Sequence, residues 1–191
     1  MRNVILASVA LVLVGCGQDT AQDSQSPGAQ APSEPPAAET GQPAERSAQV
    51  DLQPTEGSSV TGTLAITTIG NAVSITGSVK GLTPNAEHGF HIHENGDCSA
   101  PDASSAGGHF NPAGNPHGHP GENSHLGDML NLQADAQGIA TAAARIEGAT
   151  LHTGEPTDLV GRAIVVHEKA DDYTSQPAGD SGKRIACGVI Q

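Results

Sequence analysis

The chain has few large side chains with which to fill an interior. Tryptophan is absent from its 191 residues, and beyond Met1 the aromatic and thioether side chains are Phe90, Phe110, Tyr173 and Met129. A core must therefore be built from Val, Ile, Leu and Ala. Basic residues are also scarce: eight Lys and Arg against 21 Asp and Glu leave a net charge of −13. So few cations cannot neutralise a run of phosphates, which excludes nucleic acid as a partner. Acidity otherwise reports mainly on solubility. Long apolar runs are missing too. Residues 4–14 are largely apolar but interrupted by Ser8, too short to cross a bilayer as a helix.

That short run has the shape of a secretory signal, with Met1-Arg2-Asn3 as its positive start. It leads into Leu13-Val14-Gly15-Cys16, which resembles a bacterial lipobox. The expectation is a signal peptide over 1–15 and a lipidated Cys16, anchored on the periplasmic side of a bacterial envelope. Gly17, where aspartate would favour inner-membrane retention, points to the outer membrane. The alternative is an ordinary secretory signal with an incidental cysteine. Residues 17–46 contain no Val, Ile, Leu, Met or aromatic residue, so burial cannot offset the entropy of ordering them. Residues 16–46 thus read as a lipidated cysteine and a disordered tether. The three cysteines make an odd count. With Cys16 carrying lipid, Cys98 and Cys187 remain as a candidate pair in an oxidising compartment.

From residue 47 the texture changes, and 47–191 reads as one folded domain. Gly 24 and Pro 13 suit many turns between short strands. "TLAITT" (63–68) and "AVSITGSV" (72–79) alternate with period 2 around Gly70-Asn71, a hairpin signal. "EHGFHIHE", "MLNLQAD", "IATAAARIE", "GRAIVVHE" and "RIACGVI" follow as further strands, although "TAAARIE" is also helical by propensity. The class is all-β, an antiparallel sandwich or barrel of about eight strands. Segments 94–128 and 168–184 break the strand rhythm, and long loops in a compact β-domain are usually functional or disordered.

Nine histidines are unusual in so aromatic-poor a chain. In an extended "GFHIHENGDC" (89–98), His91 and His93 project from one face and Phe90 and Ile92 from the other. Taken alone, such a pair would be solvated histidines at a strand edge. The remainder argues for more. His109 lies in "GGHFNP", His117 in "NPHGHP", His125 and Asp128 in "HLGD", and His167 ends "AIVVH" on the face of Ala163 and Val165. Neutral imidazoles suit copper and zinc, and a carboxylate among them suits zinc better. Six histidines and one aspartate exceed the needs of one four-coordinate metal; two metals sharing a ligand would use the set completely.

"GFHIHENGDC", "SAGGHFNP", "HLGDMLNL", "GRAIVVHEKADD" and "KRIACGVI", in order over residues 60–191, together resemble the copper,zinc superoxide dismutase family. The resemblance implies an eight-stranded antiparallel Greek-key sandwich or flattened barrel with two long functional loops. It implies one copper and one zinc per subunit, with superoxide as substrate. His91, His93, His109 and His167 match the copper ligands, with His91 and His93 placed on the exposed face of their strand. His109 matches the bridge to zinc, with His117, His125 and Asp128 completing that site. The bridging histidine and Arg184, beside the open copper position, are the implied catalytic residues. Asp171 matches the carboxylate that hydrogen-bonds one ligand of each metal, here His91 and His117. Cys98 and Cys187 match a disulfide that ties the first long loop to the last strand. The family is often dimeric, so a homodimer is compatible with the resemblance, but no interface is legible in the sequence.

Other residues read as bystanders. The family's "HG-x-P" pattern selects His117 over His119, which remains an alternative ligand. His88 has the wrong parity for the ligand face and reads as a structural, hydrogen-bonding histidine. His152, Glu168 and Asp172 read as surface groups. The segment between Asp172 and Arg184 is shorter than in many eukaryotic relatives and lacks their acidic pair and steering lysine. With sixteen acidic and six basic residues from 47 onward, attraction of an anion must come from the local field. Two other functions stay open: a copper/zinc buffering or delivery protein on the same fold, and a catalytically silent homologue. Neither requires Arg184, and the silent homologue would be expected to lack copper ligands.

Overall fold

A computed structural model describes residues 45–121 and 123–191; the expected signal peptide 1–15, Cys16 and the expected tether as far as residue 44 lie outside them. The strands are β1 (Ser47–Pro54), β2 (Thr61–Ile69), β3 (Ala72–Lys80), β4 (Glu87–His88), β5 (Phe90–His93), β6 (Leu132–Gln133), β7 (Ile139–Glu147), β8 (Ala163–His167) and β9 (Arg184–Val189). All pair antiparallel. Seven form one curled sheet in the order β5-β8-β9-β1-β2-β3-β7, and β4 pairs with β6 apart from it. The curl is made by β1, whose first six residues pair with β2 (Ala48 opposite Ile66) and whose last two pair with β9 (Gln53 opposite Cys187).

Period-2 alternation fills the space inside the curl. Val50 and Leu52, Leu64 and Ile66, Val73 and Ile75, Ala140 and Ala142, and Ile164 and Val166 all point inward and are buried. "TAAARIE" joins them as strand β7. Its helical propensity loses to the packing of alternate residues, since only the inward positions find apolar neighbours. The β2–β3 hairpin turns on Gly70-Asn71, with Gly70 at φ +62. That conformation belongs to glycine at the first position of a type II′ turn.

The strands depart from the sequence reading in three places. The first strand, β1, was not among the expected segments. "EHGFHIHE" is not one strand: at Gly89 the chain leaves β4's partner and exchanges backbone hydrogen bonds with Lys169 and His167. "MLNLQAD" contributes only the two residues of β6. Two strands are thus minimal, and with β4 and β5 counted as one interrupted run the number returns to eight.

The outer face of β5, β8 and β9 positions the site. All five residues of β8 are buried. Ile164 and Val166 face the main core, while Ala163 and Val165 pack with Ala103, Ala106 and Cys187 in a second cluster beneath the loop that follows β5. A disulfide between Cys98 and Cys187 fastens that loop to β9. The expectation that His91 and His93 lie on an exposed face is corrected here. They are 0% and 1% exposed, because the loops 94–128 and 168–184 fold back over them.

Candidate metal centre

Strand β5 is an edge strand, and the first loop uses its free edge. Ile92 N–H donates to Gly127 O (2.8 Å), and Phe110 N–H donates to Ile92 O (2.7 Å). Short bridges place His109 opposite His93 and Asp128 opposite His91. The period-2 geometry of β5 and this edge pairing bring loop donors beside strand donors. The result is two clusters, His91-His93-His109-His167 and His109-His117-His125-Asp128, each with its ligand atoms within 4.8 Å of one another.

The hydrogen bonds at the rim of the first cluster decide its chemistry. His91 Nε2 donates to Asp171 Oδ2 (2.6 Å), and His93 Nδ1 donates to Gly107 O (2.9 Å). His167 Nδ1 faces Gly182 O at 3.3 Å. Carbonyl and carboxylate oxygens only accept, so these nitrogens carry the protons and the opposite ring nitrogens keep lone pairs. Those opposite nitrogens, Nδ1 of His91 and Nε2 of His93, His109 and His167, are buried without a hydrogen-bond partner. Four convergent, unpartnered, buried lone pairs cost free energy unless a cation collects them, so the set fits a copper ion. Burial also keeps the rings neutral. It lowers the His91 pKa to about 4 against the opposing effect of the hydrogen bond His91 donates to Asp171, and that of His167 to about 3 with help from nearby His91. Burial likewise holds His93 well below its ordinary value.

The second cluster is built around one oxygen. Asp128 Oδ1 lies 2.8 Å from His109 Nδ1, 3.1 Å from His117 Nδ1 and 3.3 Å from His125 Nδ1. Donors about 2.0–2.1 Å from a tetrahedral zinc are separated by roughly 3.3 Å, so the four atoms nearly outline such a site. The second oxygen of Asp128 accepts the N–H groups of Gly118 and His125 (both 3.1 Å). Burial would raise this carboxyl's pKa, but the hydrogen bonds from His109 and Gly118 outweigh it and the pKa is lowered. His109 turns Nδ1 to this cluster and the unpartnered Nε2 to the other, so one ring can serve both.

Asp171 joins the halves from behind. Its Oδ2 receives His91 Nε2 and its Oδ1 receives His117 Nε2 (2.9 Å). Burial opposes ionisation, but the bonds from His91, Tyr173 N–H and His117 bring the pKa down to about 2. The carboxylate is held in turn: Asn131 Oδ1 accepts Asp171 N–H (2.9 Å), and Asn131 Nδ2 donates to Asp171 O (3.0 Å). Such outer hydrogen bonds fix the orientation of the group that supports the ligands.

A cleft of about 880 Å³ opens onto His93, His109, His125 and His167, and Arg184 stands in its wall. The guanidinium donates to Ala103 O and Gly107 O, both at 2.6 Å. Burial lowers its pKa, Asp102 opposes the change, and an arginine remains charged. Glu94 and Asp180 also line the cleft; among the described residues no lysine does. Lys183 faces a separate surface depression with Thr55 and Glu56.

The bystander residues divide. His88 is buried, and its Nδ1 donates to His167 O (2.8 Å), a structural role as expected. His119 is exposed, with its ring 5.1 Å from Tyr173 and outside both clusters. His152 is exposed and donates to Ser47 O (3.0 Å). Glu168 is exposed. Asp172 is exposed but does more than solvate the surface, since it accepts Thr174 N–H, Ser175 N–H and the Ser175 hydroxyl. Sequence reasoning missed Asn131, Gln176 and Arg162. Arg162 lies 4.4 Å over the Phe110 ring and donates to Glu94 O (2.6 Å), bracing the first loop. No motif announces such residues, because most of their partners are main-chain atoms.

Comparison with known proteins agrees with this geometry. A model of the copper/zinc superoxide dismutase (SODC) family matches residues 60–190. Superoxide dismutase (Cu-Zn) 2 of Aquifex aeolicus is 46% identical over 149 residues, 75% of this chain and 86% of that protein. Superoxide dismutase (Cu-Zn) of Candida glabrata is 45% identical over 124 residues, 61% of this chain and 79% of that protein. The crystal structure of a SOD-like protein from Bacillus subtilis superposes with a TM-score of 0.68 at 37% identity, covering 75% of this chain and 97% of that chain.

Proposed function

The chain belongs to the copper/zinc superoxide dismutase family, and from that premise we propose that it disproportionates superoxide to dioxygen and hydrogen peroxide. Its cofactors are copper and zinc, for which His91, His93, His109 and His167 form one donor set and His109, His117, His125 and Asp128 the other. When bound, copper supplies a Cu(II)/Cu(I) couple that removes an electron from one superoxide and returns it to a second, while zinc has no redox chemistry.

The protein's own groups do the rest. Two superoxide anions and two protons give one dioxygen and one hydrogen peroxide, so each turnover needs an anion site and a proton source. Arg184, fixed by two carbonyls in the cleft wall, attracts and aligns the small anion. His109 can hold a proton at Nε2 and pass it to the reduced oxygen, while its Nδ1 stays with the second cluster. Asp171 keeps His91 and His117 in the tautomers that leave their Nδ1 lone pairs inward.

One observation carries the proposal: the charged Arg184 shares a cleft with His93, His109 and His167, three of the four histidines of the copper set. A copper buffer or delivery protein needs the donors but not a cation beside them. The test is superoxide decay by pulse radiolysis with copper- and zinc-loaded protein. The wild type should exceed the background of free copper, and His167→Ala should fall to it. Equal decay in both proteins sinks the enzyme reading.

Residues 1–16 support export and attachment at Cys16, which would place the activity against superoxide outside the cytoplasm, at the envelope. Cys16→Ser should then shift the protein from the membrane to the soluble fraction; unchanged membrane recovery refutes the anchor.

A further inference from the structure

We propose that Gln176 is a positioning residue for the zinc half of the centre, the point at which the second loop closes on the first. The proposal rests on the reading of His117 as a zinc ligand. Gln176 Oε1 accepts His117 N–H (2.9 Å), and Gln176 Nε2 donates to His117 O (2.8 Å) and to Thr174 O (3.3 Å). One side-chain amide thus satisfies both main-chain polar groups of a residue 59 positions away, as a neighbouring strand would.

His117 needs such a grip. Among the described residues between Phe110 and Asp128 there is no helix or strand. Side-chain bonds of Asn111 to Asn115, and of Asn115 to Ser124 O, tie this segment to itself rather than to the sheet. Asp171 fixes the His117 ring at Nε2, but a ring held at one atom can still swing with its backbone. Gln176 removes that freedom. With both anchors in place, Nδ1 is left facing Asp128 Oδ1. Both anchors come from the second loop, so closure of that loop and presentation of the ligand are one event.

Gln176 is itself exposed. Truncating it opens no cavity in the core, and its hydrogen bonds reach only the two loops, so the sheet is left as it was. A large effect on zinc with little effect on folding is therefore the signature of positioning.

The experiment follows zinc release into excess chelator from copper- and zinc-loaded, disulfide-intact protein. Gln176→Ala should release zinc roughly 10- to 100-fold faster than the wild type, the range for residues that support a metal ligand. Gln176→Glu keeps an acceptor for His117 N–H but loses the donor to its carbonyl, so it should fall between. The Cu(II) electron paramagnetic resonance spectrum should be the same in all three, because His117 is not in the copper set. Release at the wild-type rate from Gln176→Ala overturns the proposal alone. So does faster release accompanied by an altered copper spectrum, which would indicate general loosening. A wild type that takes up no zinc overturns the zinc reading, and the proposal with it.

Discussion

Gly179→Ala is expected to lose its hold on zinc, weaken copper binding and melt well below the wild type. Gly179 is buried, with φ +64, in the second loop. A Cβ there would overlap Asp171 Oδ1 outright and stand 2.8 Å from His117 Nε2. The Asp171–His117 bond could not survive in place, and the displaced carboxylate would drag on His91 through its other oxygen. Left-handed backbone costs a non-glycine residue about 1–2 kcal/mol, and overpacking a filled site adds about 1–3 kcal/mol. For a domain of this size that total lowers the melting temperature by roughly 5–15 °C. Gly154→Ala separates the two contributions: its φ is +73, but a Cβ there meets nothing within 4 Å. That variant should show the backbone penalty and keep its metals. Metal content by mass spectrometry and calorimetric melting of both variants check the argument. If Gly179→Ala keeps zinc as well as Gly154→Ala does, the steric account of the Asp171 bridge is wrong.

How much of this was legible beforehand depends on the kind of interaction. Side-chain parity is local, so His91 and His93 could be assigned to one face and Phe90 and Ile92 to the core from four consecutive residues, as the strand confirms. The donors announced themselves by type: His, Asp and Cys in fixed neighbourhoods are rare enough to be read together. The first strand carried the same alternation at Ala48, Val50 and Leu52, obscured by the polar residues between them and the tether before them. The break at Gly89 was not legible, because its hydrogen-bond partners Lys169 and His167 are some eighty residues away. Nor was the burial of the ligand face. Alternation tells which side a residue takes, not what covers that side, and the covering loops have no periodicity to read. Asn131 and Gln176 were hidden for a related reason. An amide that grips a main-chain N–H and C=O can do so opposite any residue type, so composition leaves no trace of the pairing.

The disulfide has the other large expected effect, and its position says why the loss should reach the metals. Replacing both cysteines, Cys98→Ser with Cys187→Ser, reopens a loop of 89 residues, worth roughly 4–5 kcal/mol in the chain-entropy model. The denaturation midpoint of the metal-free protein should fall accordingly. The mechanical consequence is more specific. Cys98 leads the segment whose Ala103 and Ala106 pack on Ala163, Val165 and Cys187. That segment presents Ala103 O and Gly107 O to the Arg184 guanidinium. Gly107 O also accepts the His93 Nδ1 proton, and His109 follows two residues later. One clamped stretch therefore sets the cleft arginine, orients a copper-set ring and leads into the shared ligand. Reduction should speed zinc release and, in the metal-loaded protein, slow the proposed superoxide decay more than it alters the copper spectrum. The Arg184 guanidinium has no other hydrogen-bond acceptor among the described residues, whereas in the metal-loaded protein the His93 ring would keep a second anchor in the copper it helps to hold. Zinc release and superoxide decay measured on the oxidised and doubly substituted proteins decide the matter. If both are unchanged while the midpoint falls, the bond is a stabiliser remote from the chemistry, and the coupling through Gly107 does not operate.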